Sequence, residues 1–540
     1  MIGVIFRNEQ RAAVEEFFEL FKTPWEPWHP GASYQTLLVG SGVEVPEGNA
    51  RLVVIFGAEP RPADVALGAL PGVRQRGAEL KQDTLAEVLP LYGDVMSFKP
   101  QAPATGPMWG AAGVHGVLDV AHGRHTLRIG YDLFEEVRIL LGPGQPLQQA
   151  DSPALDLHIE YLRGWMRSAG VSFLEIPPSP HGYRYAVALT HDIDFVGIRR
   201  HKFDHTMFGF LYRATVGGLL DFVRRRQSLA LTARNLVAAF KLPLVWLGLA
   251  RDFWMQFDAY REIERGLAPT YFFIPFRGRA GDKVNAAHAE RRAGPYELSE
   301  VATLIQELKA EGCEVGVHGI DSWHDAAKGR EELARVAALK GDSDIGIRMH
   351  WLLQDEHTPR VLEEAGYSYD STSGYNDAIG YRAGTHQVFR PLGRGRLMEM
   401  PMHIQDGALF YRTKLALSDA EAWRRCEGII ANAERSGGVL TVLWHDRSLG
   451  PERHWGDFYR RLIAELRARR AWFANAHAVV DWFRARRAVS FVRHGDAGYE
   501  CSVGELRGLL PLTVREHRAG QPSRDVSWDG ATRFQFQATN

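Results

Sequence analysis

From residue 184 onward the chain alternates short apolar runs with amphipathic stretches. YAVAL (185–189), TYFFI (270–274), CEVGV (313–317), GIRM (346–349), LMEMPM (397–402) and GVLTVLW (438–444) have the length and composition of buried strands. Between them, apolar positions recur at helical spacing. Val301, Leu304, Ile305 and Leu308 share one face of a helix over 298–311 that Gly312 ends. Thr358 reads as the cap of a helix that begins at Pro359 and stops at Gly366, and Ser418 with Glu421 forms a capping box. Strands alternating with helices predict an α/β fold built on a parallel sheet, either a barrel or a doubly wound sheet. The first 150 residues mix strand-like runs (52–56, 125–129) with a helical one (131–141), which predicts a small α/β module. Proline-rich breaks at 142–153 and 177–182 divide that module from a main domain over 183–487. The tail, 488–540, reads as appended β-structure, with FVRHGDAGYECSV and TRFQFQ as its strands. A helical insertion occupies about 200–250. Its basic start (Arg224, Arg225, Arg226) and apolar body suit a lid or an interfacial helix touching a membrane surface through 205–250. A plain packed hairpin fits the same pattern better.

Composition narrows the classes. The 540 residues are 45% hydrophobic and 24% charged, the balance of a globular chain of several domains. A net charge of −1 argues against a nucleic-acid binder and fits a neutral sugar better than a polyanion. Three scattered cysteines exclude a disulfide scaffold and a thiolate zinc finger, so any metal must use histidine or carboxylate. The apolar run between charges in 229–250 is well short of about 20 residues, so no transmembrane span is expected. The start, MIGVIFRNEQR, has no basic n-region, and a cytoplasmic location is the expectation.

Catalytic groups of parallel α/β folds sit past the carboxyl ends of strands. Four strand candidates end in polar clusters: Thr190-His191-Asp192-Ile193-Asp194, His318 to Asp325, Arg348 with His350-Trp351, and His445-Asp446-Arg447. A D-x-D pair alone is weak and also serves metal-dependent glycosyltransferases, but four clusters in one structural position imply one mouth. His318 and His324 cannot share an ion as helix or strand, since they would lie about 9 Å apart on different faces or about 20 Å apart. Only a loop that doubles back at Gly319 would bring them together. An aspartate with two neutral histidines is a facial set for zinc or a related divalent ion. A second aspartate would take the proton from water, Arg348 would hold that base, and His445 would protonate a leaving amine. Trp323, Trp351, Trp455, Tyr375 and His403 are suited to stacking on sugar rings, and the 380–393 stretch to a substrate loop. Trp444 reads as packing.

In their order these clusters resemble the polysaccharide deacetylase family, the carbohydrate esterase family 4 type of distorted (β/α) barrel, over residues 184–484. The resemblance implies that Asp192 is the general base, Asp194 and His318 metal ligands, His445 the catalytic acid, and that IRMHWL with the stretch to Asp370 places Arg348 and Asp370 at the site. The family's second motif has its histidines four apart, whereas here Ser322 holds that position and His324 lies two beyond. His350 stands where the third motif normally has proline. The third ligand is therefore His324, the expected one, or His350, otherwise a substrate contact with Trp351, Asp370 and Trp323. The implied function is metal-dependent removal of an acetyl group, N-linked foremost, from a carbohydrate or glycan precursor. Hydrolysis of another C–N bond in a small molecule, or carbohydrate binding by a degraded site, are the alternatives.

Overall fold

The computed structural model describes all residues except 83, 84, 226, 495–497, 505, 507 and 538–540. Arg226 and the GDA of the predicted tail strand thus lie outside the described residues. The main domain is a parallel half-barrel. Its strands run from edge to edge as Met398–Glu399, Tyr369–Asp370, Gly346–Met349, Glu314–Gly319, Thr270–Phe273, Ala186–Ile193, Val439–Leu443 and Ile404–Gln405. All pairings along this path are parallel. The edge strands are neighbours in sequence. The segment between them hydrogen-bonds to both flanks, Met400 N to Asp370 O (2.8 Å) and His403 N to Thr441 O (3.2 Å). LMEMPM is therefore mostly a bridge across the gap; Pro401, which lacks an N–H, suits a bridge better than a strand.

Local signals explain most helix ends. Gly312 (φ 83°) and Gly366 (φ 101°) take the left-handed conformation that stops a helix. Ser418 and Glu421 exchange the reciprocal bonds of a capping box. The cap near Thr358 belongs instead to Asp355, whose carboxylate accepts from the N–H groups of His357 and Thr358.

The N-terminal sheet has nine strands in mixed orientation, and its core takes in the helix Ala154–Ser168, Phe173, and Ala383 and Phe389 from the main domain. The stretch 380–393, expected as a substrate loop, is mostly buried against this module: Asp156 accepts from Thr385 Oγ1 and from His386 N. The fully buried Arg486 binds the carbonyls of Glu19, Leu20, Ile176 and Pro177, and Arg487 makes a two-pronged ion pair with Glu16. The tail forms antiparallel strands, of which Leu512–His517 pairs with Phe173–Glu175.

Candidate metal centre and active site

The strand Ala186–Ile193 runs on through the THDI sequence, so side-chain alternation divides its residues. His191 points away into the core: its Nδ1 donates to Trp444 O (2.7 Å) and its Nε2 meets Glu264 Oε1 (2.9 Å). Thr190, Asp192 and Asp194 fall on the other side. Asp192 Oδ1 and Thr190 Oγ1 both accept from Arg348 Nη1, at 3.0 and 2.8 Å. Arg348 is completely buried and is fixed further by Ser371, through the carbonyl and the hydroxyl (both 3.0 Å). In-register pairing of the next two strands sets His318 beside Arg348.

Three donors converge here. The Nδ1 of His318 donates to Arg348 O (3.0 Å), which leaves its Nε2 lone pair facing the two aspartates. Asp194 Oδ1 lies 3.4 Å from His318 Nε2 and 3.3 Å from His350 Nδ1. Among the described residues, Asp194 Oδ1 and both ring nitrogens of His350 are buried without a hydrogen-bond partner. Buried polar atoms are rarely left bare, and an ion is the partner this set fits. Two atoms bound at about 2.1 Å in tetrahedral positions lie about 3.4 Å apart, the spacing of both pairs. Protonation states agree. Burial pulls the His350 imidazole down to about 4, so it is neutral, as a ligand must be. Burial opposes ionisation of Asp194, but the adjacent His350 and His318 outweigh it and hold the carboxyl well below its usual range.

His350 reaches the cluster through an unusual turn. Trp351 and Leu352 adopt φ of 64° and 51°, a left-handed conformation costly for bulky residues and typical of functional sites. The turn folds His350 inward against His318 and leaves Trp351 at the rim. His324 does not join them. Its Nε2 bonds Asp321 Oδ1 (3.1 Å), and His350 occupies the place in the cluster expected of His324. Ser322, at the family's usual spacing, donates to Glu332 (2.6 Å). Trp323 packs on His324 and under Lys283, outside the pocket wall. Asp370, expected at the substrate, lies beneath the floor beside Glu399. Burial pushes it up to about 6, and burial with the nearby Asp370 charge raises Glu399 further. Tyr375, His403 and Trp455 also lie off the pocket wall, and Trp444 is fully buried on Tyr459.

Across the pocket stands His445. Its Nδ1 donates to Asp406 Oδ1 (2.6 Å), and Asp406 Oδ2 accepts from the His445 backbone N–H (2.8 Å) and from Ser448 Oγ (2.5 Å). Burial disfavours the charged ring, but Asp406 first, then Asp194 and Asp192, raise its pKa to about 10. Asp406 escaped the sequence reading because it follows a two-residue strand with no motif of its own.

Asp192, Asp194, His318, His350 and His445 line a cavity of about 470 Å³. Its wall carries Arg200, Arg277, Arg291, Lys414 and Arg447, against Asp204 and the two site aspartates. Arg447 lies 3.8 Å over the Phe195 ring, and its Nε and Nη1 have no partner. The whole-chain balance of −1 thus conceals a mouth whose wall carries more cations than anions, even though Glu300 pairs with both Arg200 and Arg277.

No protein-family model and no curated protein matches the chain. Similar solved structures include a polysaccharide deacetylase from Mycobacterium smegmatis, at 20% identity over 58% of this chain and 96% of that one, TM-score 0.34. Another is the carbohydrate deacetylase Agd3, at 9% identity over 100% of this chain and 98% of that one, TM-score 0.40. A polysaccharide deacetylase from Pseudomonas aeruginosa PAO1 matches at 17% identity over 57% and 95%, TM-score 0.33. Likenesses this distant leave the reaction to be read from the site itself. The similar solved structures are polysaccharide deacetylases and other carbohydrate esterase family 4 members for the most part, with the Puue allantoinase also among them.

Proposed function

We propose that this protein is a metal-dependent hydrolase, zinc being the ion, that removes an acetyl group, N-linked foremost, from a carbohydrate. The observation that carries the reading is the bare donor set of Asp194, His318 and His350 flanked by Asp192 on one side and the Asp406-backed His445 on the other. A bound dication supplies a Lewis acid that brings the pKa of water toward about 7 and draws charge from the acyl oxygen. The chain's own groups do the rest. Arg348 fixes Asp192 Oδ1, leaving Oδ2 beside the donor cluster, 3.7 Å from His318 Nε2, to receive the proton of the attacking water. His445 enters protonated, because Asp406 holds a proton on the ring, and gives it to the departing nitrogen. Trp351, 36% exposed at the rim, offers a face for a sugar ring. The cationic wall favours a sugar bearing a carboxylate or phosphate over a neutral one.

The irregular spacing of His318 and His324, which motivated a degraded binding site, is offset by His350, so the catalytic reading keeps a full ligand set. The test is acetate release from N- and O-acetylated sugars, neutral and anionic, alongside small amides and ureides, with metal content measured on the same samples. Release from an acetylated sugar by protein holding one divalent ion per chain is the expected result. Release from none of the sugars, or turnover confined to the small amides, overturns it.

A further inference from the structure

The insertion after the first site strand is built inside out. Its elements are the helix His205–Tyr212, a wider turn over Arg213–Gly217, the helix Gly218–Val223 and the helix Leu229–Trp246. The last of these shows the inversion plainly. Its inner face, Thr232, Asn235, Ala238, Leu242 and Val245, is buried and includes two polar residues. Asn235 is tied to the barrel, its Oδ1 accepting from Glu452 N (2.7 Å) and meeting His454 Nε2 (2.6 Å). On the opposite side Leu229, Val237, Phe240 and Leu244 recur at helical spacing, continued by Leu247 just beyond the helix, and all are exposed; Phe240 is 82% exposed. The outer face is more apolar than the inner one. Fifteen of the twenty-two exposed large apolar side chains among the described residues lie between 203 and 255. A patch of this kind marks an interaction surface. The preferred sequence reading, a plain packed hairpin, accounts for the inner face only.

Charge says what covers it. Residues 199–251 contain ten basic and two acidic residues, a balance of +8 in a chain whose total is −1, so the remainder carries −9. Arg224, Arg225, Arg234 and Lys241 are exposed, and no ion pair is found for them among the described residues. Arg234 and Lys241, one heptad apart, flank the apolar stripe. A second copy docking by two-fold symmetry would set the unpaired cations Arg224, Arg225, Arg234 and Lys241 against their own copies, which like-charge repulsion opposes. An anionic bilayer offers what the patch lacks, a hydrocarbon layer for the stripe and negative headgroups for its flanks. The helix Leu229–Trp246 is long and apolar enough to cross a membrane, yet Asn235 and the buried inner face keep it lying on the protein.

We propose that the 203–249 insertion seats the protein on the surface of an anionic lipid bilayer. The same segment contributes Asp204, His205 and Thr206 to the wall of the metal-site pocket, with Arg200 and His201 just before it, so docking brings the mouth to the lipid surface. The proposal stands apart from the deacetylase reading, because its readout is lipid binding.

The test is flotation of the full chain with vesicles of phosphatidylcholine alone or of three parts phosphatidylcholine to one part phosphatidylglycerol. Wild type should float with the anionic vesicles, and less so when salt rises from about 0.1 M to about 1 M and the screening length falls from about 10 to about 3 Å. The outer-face variant Val237→Asn/Phe240→Asn/Leu244→Asn should lose at least about a hundredfold in partitioning. The charge variant Arg224→Glu/Arg225→Glu should lose about tenfold or more. Both should keep wild-type melting and metal content, since none of these side chains is buried in the fold. The proposal fails if wild type stays unbound with anionic vesicles, or if the triple variant floats as well as wild type. It also fails if the triple variant converts a wild-type dimer to monomer in sedimentation without any lipid binding in either.

Discussion

His191, within a barrel strand, and His350, just past the end of one, are both buried, at 0% and 4% exposure. Their surroundings differ in one respect. Each nitrogen of His191 has a partner, Trp444 O and Glu264, and Tyr459 and Tyr260 close around the ring. Neither nitrogen of His350 has one among the described residues. Burial alone therefore does not single out His350 as a candidate ligand; the absence of a partner at both ring nitrogens does. The same holds for cations: Arg486 is buried with its guanidinium filled by four carbonyls, whereas Arg447 faces the pocket with two bare nitrogens.

Substitutions at the two histidines should diverge most. His350→Ala is expected to abolish metal binding and bring acetate release to background, while His324→Ala keeps both; elemental analysis of the purified variants decides. Asp192→Asn should retain the ion and lose about 10²- to 10⁴-fold in turnover, as removal of a general base does. If it also loses the ion, the division of labour between Asp192 and Asp194 is wrong. Asp406→Asn should reduce turnover by about 10- to 100-fold and reshape the pH profile. Asp406 is the largest of the influences raising His445 to about 10, so its neutralisation lowers that pKa. The acid must be protonated to work, and the alkaline limb of the kcat profile should move to lower pH. An unmoved limb would remove His445 from the role of acid. The smallest effect on chemistry belongs to His191→Leu. It should leave the metal in place and cost about 1–3 kcal/mol of stability by stripping a partner from buried Glu264, read as a lowered Tm at unchanged metal content.

Much of this arrangement was written in the sequence, because strand periodicity and strand-end position are local properties. The runs at 185–189, 270–274, 313–317, 346–349 and 438–444 became strands of one sheet, and the clusters at their ends met. What escaped is non-local. The choice between His324 and His350 turns on two left-handed residues, Trp351 and Leu352, of types that give no hint of that conformation. Asp321 claims His324, a pairing that depends on how the loop after Gly319 closes. Asp406 meets His445 across 39 residues, and Asp370 found Glu399 beneath the floor rather than substrate. Summed charge could not reveal a mouth lined by Arg200, Arg277 and Arg447, because sums discard position.

The junction made by Arg486 bears on how the molecule can be handled. A fragment beginning at residue 183 would remove Glu19, Leu20, Ile176 and Pro177 together, taking every acceptor from a guanidinium at 1% exposure. It would also strip Glu16 from Arg487 and the strand Phe173–Glu175 from the tail sheet. The half that carries the chemistry is thus not a portable piece: expressed alone, it should come out insoluble, and a chain nicked in the 142–153 break should still migrate as one particle.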